Sequence, residues 1–143
     1  MTATYRYTPF PIIKLDTGEL IGTIHKPYIK IRIGNPKNRQ ISKYSMNCLL
    51  DSGADSNLLP AGFGEYIGIN IKKGEKKIIN GIGTSQITAY RHIIKVYIGV
   101  NHYSTIADFS YEQNIALLGR EGFFDLFKSV IFQEKENKFS LIT

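Results

Sequence analysis

The stretch Leu49-Leu50-Asp51-Ser52-Gly53-Ala54-Asp55-Ser56-Asn57-Leu58-Leu59-Pro60, LLDSGADSNLLP, sets one acid between an apolar run and two very small residues. A carboxylate is costly in apolar surroundings unless something makes use of it. Ser45–Leu50 reads as an apolar strand leading directly into this acidic turn. The question is what the acid does, and whether a chain of 143 residues supplies the partner its chemistry needs.

Working outward, the pattern is mostly period two. Pro11–Leu15 and Glu19–Ile24 flank Asp16-Thr17-Gly18, a hairpin turn. Tyr28–Ile33, YIKIRI, alternates with Ile29, Ile31 and Ile33 inward, and Gly34–Asn38 follows as a loop. Ala61–Ile67 can form one helical turn. Lys76–Gly81 and Ser85–Arg91 read as a hairpin tipped by Gly81-Ile82-Gly83-Thr84. Ile93–Val100, Tyr103–Phe109 and Ile115–Leu118 are strands. Glu121–Lys128, EGFFDLFK, places Phe123, Phe124 and Phe127 on one side and is the best helix pattern. Val130–Glu134 and Lys138–Ile142 close the chain as a hairpin. Short strands at this spacing indicate a small closed barrel or sandwich.

Composition sets the outer limits. Apolar residues make up 43% and charged residues 21%, ordinary values for a globular chain. The length suits one domain with a real core and is too short for two full lobes. Net charge is +6, but the basic residues are scattered apart from Lys72–Lys77, so a solvated surface is expected rather than a nucleic-acid partner. Cys48 is the single cysteine, which fits a reducing compartment. Met1–Asp16 shows no secretory leader pattern, and no apolar run approaches the roughly 20 residues of a membrane span. A soluble, cytoplasmic protein is expected. His25, His92, His102 and Cys48 lack metal-ligand spacing, so no metal and no cofactor is implied.

An apolar strand ending in Asp-Ser/Thr-Gly-Ala resembles the active-site loop of the retropepsin-type aspartic proteases. LLDSGA matches it residue for residue. Ala116-Leu117-Leu118-Gly119-Arg120 resembles that family's second signature, and Ile79-Asn80-Gly81-Ile82-Gly83 its glycine-tipped flap. The order of these segments is the family's order, over Met46 to the C-terminus; the first forty-odd residues resemble it only in being strand-like. The resemblance implies an all-β, retropepsin-like closed barrel with one short C-terminal helix, homodimeric, with residues 1–143 as a single domain. It also implies an aspartic endopeptidase that acts on extended peptides.

Amide hydrolysis by aspartate needs two carboxylates sharing a proton, one drawing a proton from water and the other polarising the carbonyl. Asp16-Thr17-Gly18 carries the same core letters as the acidic turn, but Lys14-Leu15 precede it and Glu19 stands where the small Ala belongs. Asp16 also lies much less than a lobe away from Asp51. It reads as a turn. The second acid is then Asp51 of another copy on a two-fold axis.

Gly53 permits the sharp turn and Ala54 leaves space for a peptide. By resemblance, Gly53, Ala54 and Asp55 with Gly81, Ile82 and Gly83 contact substrate. On the same basis Ser52 links the two loops, Asp55 and Arg120 brace the loop as an ion pair, and the final hairpin joins the dimer interface. The polar insertion Asn35–Lys43 has no place in this scheme. The alternative reading is a catalytically silent dimeric barrel that binds peptides or mediates assembly. A third is a basic RNA-binding barrel.

Overall fold

The computed structural model of the protein describes Met1–Thr143. In chain order the strands are β1 (Thr2–Arg6), β2 (Thr8–Ile13), β3 (Leu20–Lys26), β4 (Tyr28–Gly34), β5 (Met46–Leu50) and β6 (Leu58–Pro60). Helix α1 (Ala61–Tyr66) follows. Then come β7 (Glu75–Asn80), β8 (Gln86–Ile98), β9 (Asn101–Ser110), β10 (Leu117–Leu118), β11 (Ser129–Gln133) and β12 (Lys138–Ile142). Strands β4, β5, β10, β6, β9 and β8 pair in that order, and β4 pairs again with β8 to close a six-stranded barrel. Closure removes the free sheet edges that an open β structure would expose.

Period-two alternation is what fills the barrel. Ile29, Ile31 and Ile33 are buried while Lys30 and Arg32 are exposed. Cys48, Ile94, Val96, Ala107, Phe109, Leu118 and Phe123 complete the centre of the core. Burial pushes the Cys48 thiol up to about 12, so it behaves as a small apolar residue. Beyond the barrel, β8 continues as a ribbon with β7, and the tip is closed by the Gly81 N–H donating to Ser85 O at 2.8 Å.

Two smaller sheets lie outside the barrel. In one, β12 runs between β1 and β11, with Phe139 and Leu141 turned into the common core. Both edges of β12 are thus occupied within one chain, and the final hairpin offers no free central strand to a second copy. The other sheet is the β2–β3 ribbon alone.

The C-terminal helix expected over Glu121–Lys128 does not form. Only a 3-10 turn, Phe124–Leu126, is present, and the chain's one α-helix is α1. Gly122 takes φ +102, outside the helical region, and its N–H donates to the Asp125 side chain, Oδ1 at 3.0 Å, rather than to a helix carbonyl. The three phenylalanines still serve the core, with Phe123 stacked edge-on to both Phe124 and Phe127. The Asn35–Lys43 insertion packs at the far end of β4 from the acidic loop, where Asn35 and Asn38 both donate to Ile67 O.

Asp16 lies in the tight turn joining β2 to β3, with Gly18 at φ +71 and the Lys14 N–H bonded to Glu19 O. Its side chain is exposed and holds nothing. Asp16→Asn is expected to change unfolding free energy by no more than about 0.5 kcal/mol in a denaturant titration.

Candidate active site

Asp51 leaves the end of β5 between two ladders. Its N–H donates to Leu118 O at 2.9 Å, continuing the parallel pairing of β5 with β10. The chain then turns back so that the Gly53 N–H donates to Asp51 Oδ1 at 2.9 Å and the Ala54 N–H to Asp51 O at 3.1 Å. The carboxylate is half-buried, and its other oxygen has no protein donor. An acid so placed can hold a water molecule, or a second acid, on its open side.

The rest of the loop is anchored by a residue the sequence reading passed over. Asn57 is buried; its Oδ1 accepts the Gly119 N–H at 3.0 Å and its Nδ2 donates to Ile106 O at 3.0 Å. Its backbone bonds Glu121 O and the Asp108 N–H. Gly119 sits so close that a Cβ there would overlap Ser56 O and lie 2.8 Å from Ala54 O. Asp55 and Arg120, expected as a bracing ion pair, form none: both are exposed. Their segments are joined through backbone instead, Arg120 N–H to Ala54 O at 3.0 Å and Glu121 N–H to Asp55 O at 2.9 Å.

Ser52 and Gly53 are exposed at the loop's crest, and Ala54 is half-buried beside them. Gly81, Ile82 and Gly83 lie together at the tip of the β7–β8 ribbon, where Gly83 takes φ +77 and Ile82 is fully exposed. Nothing within the chain covers that apolar side chain.

A buried charge cluster connects the ribbon's base to the loop. Asp108, with 0% of its side chain exposed, accepts Arg91 Nε at 2.9 Å, Lys77 Nζ at 3.1 Å and the Ser56 hydroxyl at 2.5 Å. Arg91 also reaches Glu121 Oε1 at 2.9 Å. Strand register brings these groups together, since Arg91 pairs with Asp108 and Asp108 with Leu58. Burial alone would raise the Asp108 carboxyl, but hydrogen bonds from Arg91, Ser56 and Lys77 outweigh it and hold the group below its ordinary value. The cue was present in the sequence. Ile106-Ala107-Asp108-Phe109 places an acid in an apolar run much as LLDS does.

No family model matches the chain, and no curated protein matches it in sequence. Solved structures do match. A retropepsin-like aspartic protease from Rickettsia conorii aligns at a TM-score of 0.59 and 16% identity, over 99% of this chain and 92% of that one. The fold is retropepsin-like. The EIAV protease, solved in complex with an inhibitor, overlaps 66% of this chain and 82% of its own at 22% identity, with a TM-score of 0.46. In this barrel Asp51 directly follows β5, which lies beside β10 in the closed sheet. No helix of the chain is long and apolar enough to cross a membrane.

The lowered Asp108 group fixes the sign of an acid effect. Its contribution to stability is full above about pH 4, the ordinary carboxylate range, and drains away as pH falls through the lower folded-state value. Asp108→Asn leaves Arg91 without its main partner and is expected to cost about 3 kcal/mol at neutral pH. The variant should also show a flatter loss of stability below about pH 4; unfolding measured across pH checks both.

Proposed function

We propose that the protein is an aspartic endopeptidase whose catalytic pair is Asp51 from each of two identical chains. The observation that carries this reading is the held carboxylate at the end of β5. The Gly53 N–H fixes one oxygen at 2.9 Å and leaves the other open, in a barrel of retropepsin-like fold. The chain holds no second acid beside Asp51 in the acidic loop other than Asp55, which points its backbone, not its carboxylate, into the bracing bonds. A two-fold axis through the loop supplies the missing group as Asp51 of the partner.

The chemistry follows from two acids in contact. They hold one proton between them because both cannot ionise cheaply. The ionised member draws a proton from a water held between the pair, and that water attacks the scissile carbonyl carbon. The protonated member hydrogen-bonds the carbonyl oxygen as it gains charge. The acid that took the water's proton then passes it to the amine nitrogen as the C–N bond breaks and the carbonyl re-forms as a carboxylic acid, which returns the pair to one ionised and one protonated member.

In this reading Ser52 joins the two loops across the axis. Gly53, Ala54 and Asp55 lie along the bound peptide. Gly81, Ile82 and Gly83 close over it, exclude water and bond its backbone. Arg120 holds its segment against the loop through its backbone. An extended peptide with apolar side chains is the substrate class that suits the uncovered Ile82. The substrate, in short, is the missing cover for the flap tip.

Wild type is expected to cleave an unfolded protein within about pH 4 to 6, and Asp51→Asn to lose on the order of 1,000-fold or more of that rate while keeping its fold. A wild type that cleaves nothing across that range while forming dimers contradicts the enzyme reading and favours a silent, peptide-binding barrel.

A further inference from the structure

The β2–β3 ribbon has a residue pattern its surroundings do not satisfy. Phe10-Pro11-Ile12-Ile13 and Leu20-Ile21-Gly22-Thr23-Ile24 are nearly continuous apolar runs, the pattern of strands covered on both faces. Opposed pairs place Phe10, Ile24 and Ile12 on one face, with Pro11 and Ile21 on the other. Yet the ribbon pairs with no barrel strand, and no other element packs along its length. Ile13, Leu15, Leu20 and Ile21 are 50%, 103%, 63% and 56% exposed. A lone two-stranded ribbon is marginal in water, and a contiguous apolar patch of this kind marks an interaction surface.

Its root identifies the occupant. Pro27, directly after β3, accepts the Leu50 N–H at 2.9 Å, one residue before Asp51. Tyr28 pairs with Leu49, and its ring meets that of Phe10 at 5.2 Å. The ribbon therefore springs from the margin of the acidic loop. Seven residues at about 3.3 Å each give β3 a reach of roughly 20 Å. If a second Asp51 lies beside the first, the second barrel stands next to this same margin. The final hairpin cannot supply the contact through β12, whose two edges are already paired within the chain. Pro9 and Pro11 have no N–H for an incoming strand, which leaves the ribbon's faces rather than its β2 edge for association.

We infer that the β2–β3 ribbon is an arm that grips a second copy of this chain, burying Ile13, Leu15, Leu20 and Ile21 against it beside the paired acidic loops. The inference rests on the two-chain site proposed above. Two-fold symmetry makes each copy both give an arm and receive one, so the buried surface is counted twice. A stable interface needs about 800 Å² per partner, a requirement that four large aliphatic side chains go far to meet.

The test is sedimentation velocity over a range of protein concentrations. It compares wild type, the exposed-tip variant Leu15→Glu, and a fourfold variant carrying Ile13→Ser, Leu15→Ser, Leu20→Ser and Ile21→Ser. Circular dichroism and thermal unfolding check that each is folded. Wild type is expected to dimerise, Leu15→Glu to associate about tenfold more weakly, and the fourfold variant on the order of 100-fold more weakly. Peptidase activity of both variants should return as protein concentration is raised. Folded variants that dimerise as tightly as wild type overturn the arm while leaving the two-chain site standing. A wild type that stays monomeric and still cleaves overturns both.

Discussion

A glycine with no room for a side chain holds the acidic loop in place. Gly119 presses against the backbone of Ala54 and Ser56, where a Cβ would overlap a carbonyl oxygen that cannot move aside. That approach lets Asn57 take the Gly119 N–H and lets the Asp51 N–H reach Leu118 O. Each bond depends on the others, so the loop has one shape. Its consequence is chemical: one carboxylate is fixed at a strand end, with one oxygen tied down and the other open.

The charge cluster around Asp108 carries that order outward. Two cations from the β7–β8 ribbon, Lys77 and Arg91, meet an acid on β9 that also holds Ser56 of the acidic loop. The base of the ribbon and the loop are thus parts of one polar network in an otherwise apolar barrel. Beyond Ala89 β8 pairs only with β7, and past the Thr88 N–H, which donates to Glu112 Oε1 at 3.1 Å, the tip stands clear of the barrel. Rigid base and free tip are what a closing element requires. The barrel supplies one carboxylate and the surroundings to hold it, and the chemistry asks for two.

Much of this could be read from the residues alone. The acidic loop, the glycine-tipped ribbon, the YIKIRI strand and the final hairpin were legible because alternation and glycine punctuation are local signals. The Glu121–Lys128 segment misled because phenylalanines at helical spacing also fit a 3-10 turn. The backbone of Gly122, not the apolar pattern, decided between them. The expected Asp55–Arg120 pair was replaced by backbone bonds. Lys77, Arg91 and Asp108 lie far apart in the chain, and only strand register assembles them. The central position of β12 was equally out of reach, since nothing in Thr2–Arg6 announces which strand it will pair with.

The central claim is that two chains each give one acid to a single site. Subunit mixing tests it most directly. Wild type and Asp51→Asn are equilibrated together at fixed total concentration, and peptidase activity is followed as the wild-type fraction changes. A shared pair predicts activity that falls as the square of that fraction, so half wild type leaves about one quarter of the activity. A straight-line fall, with half the activity remaining at half wild type, would contradict it.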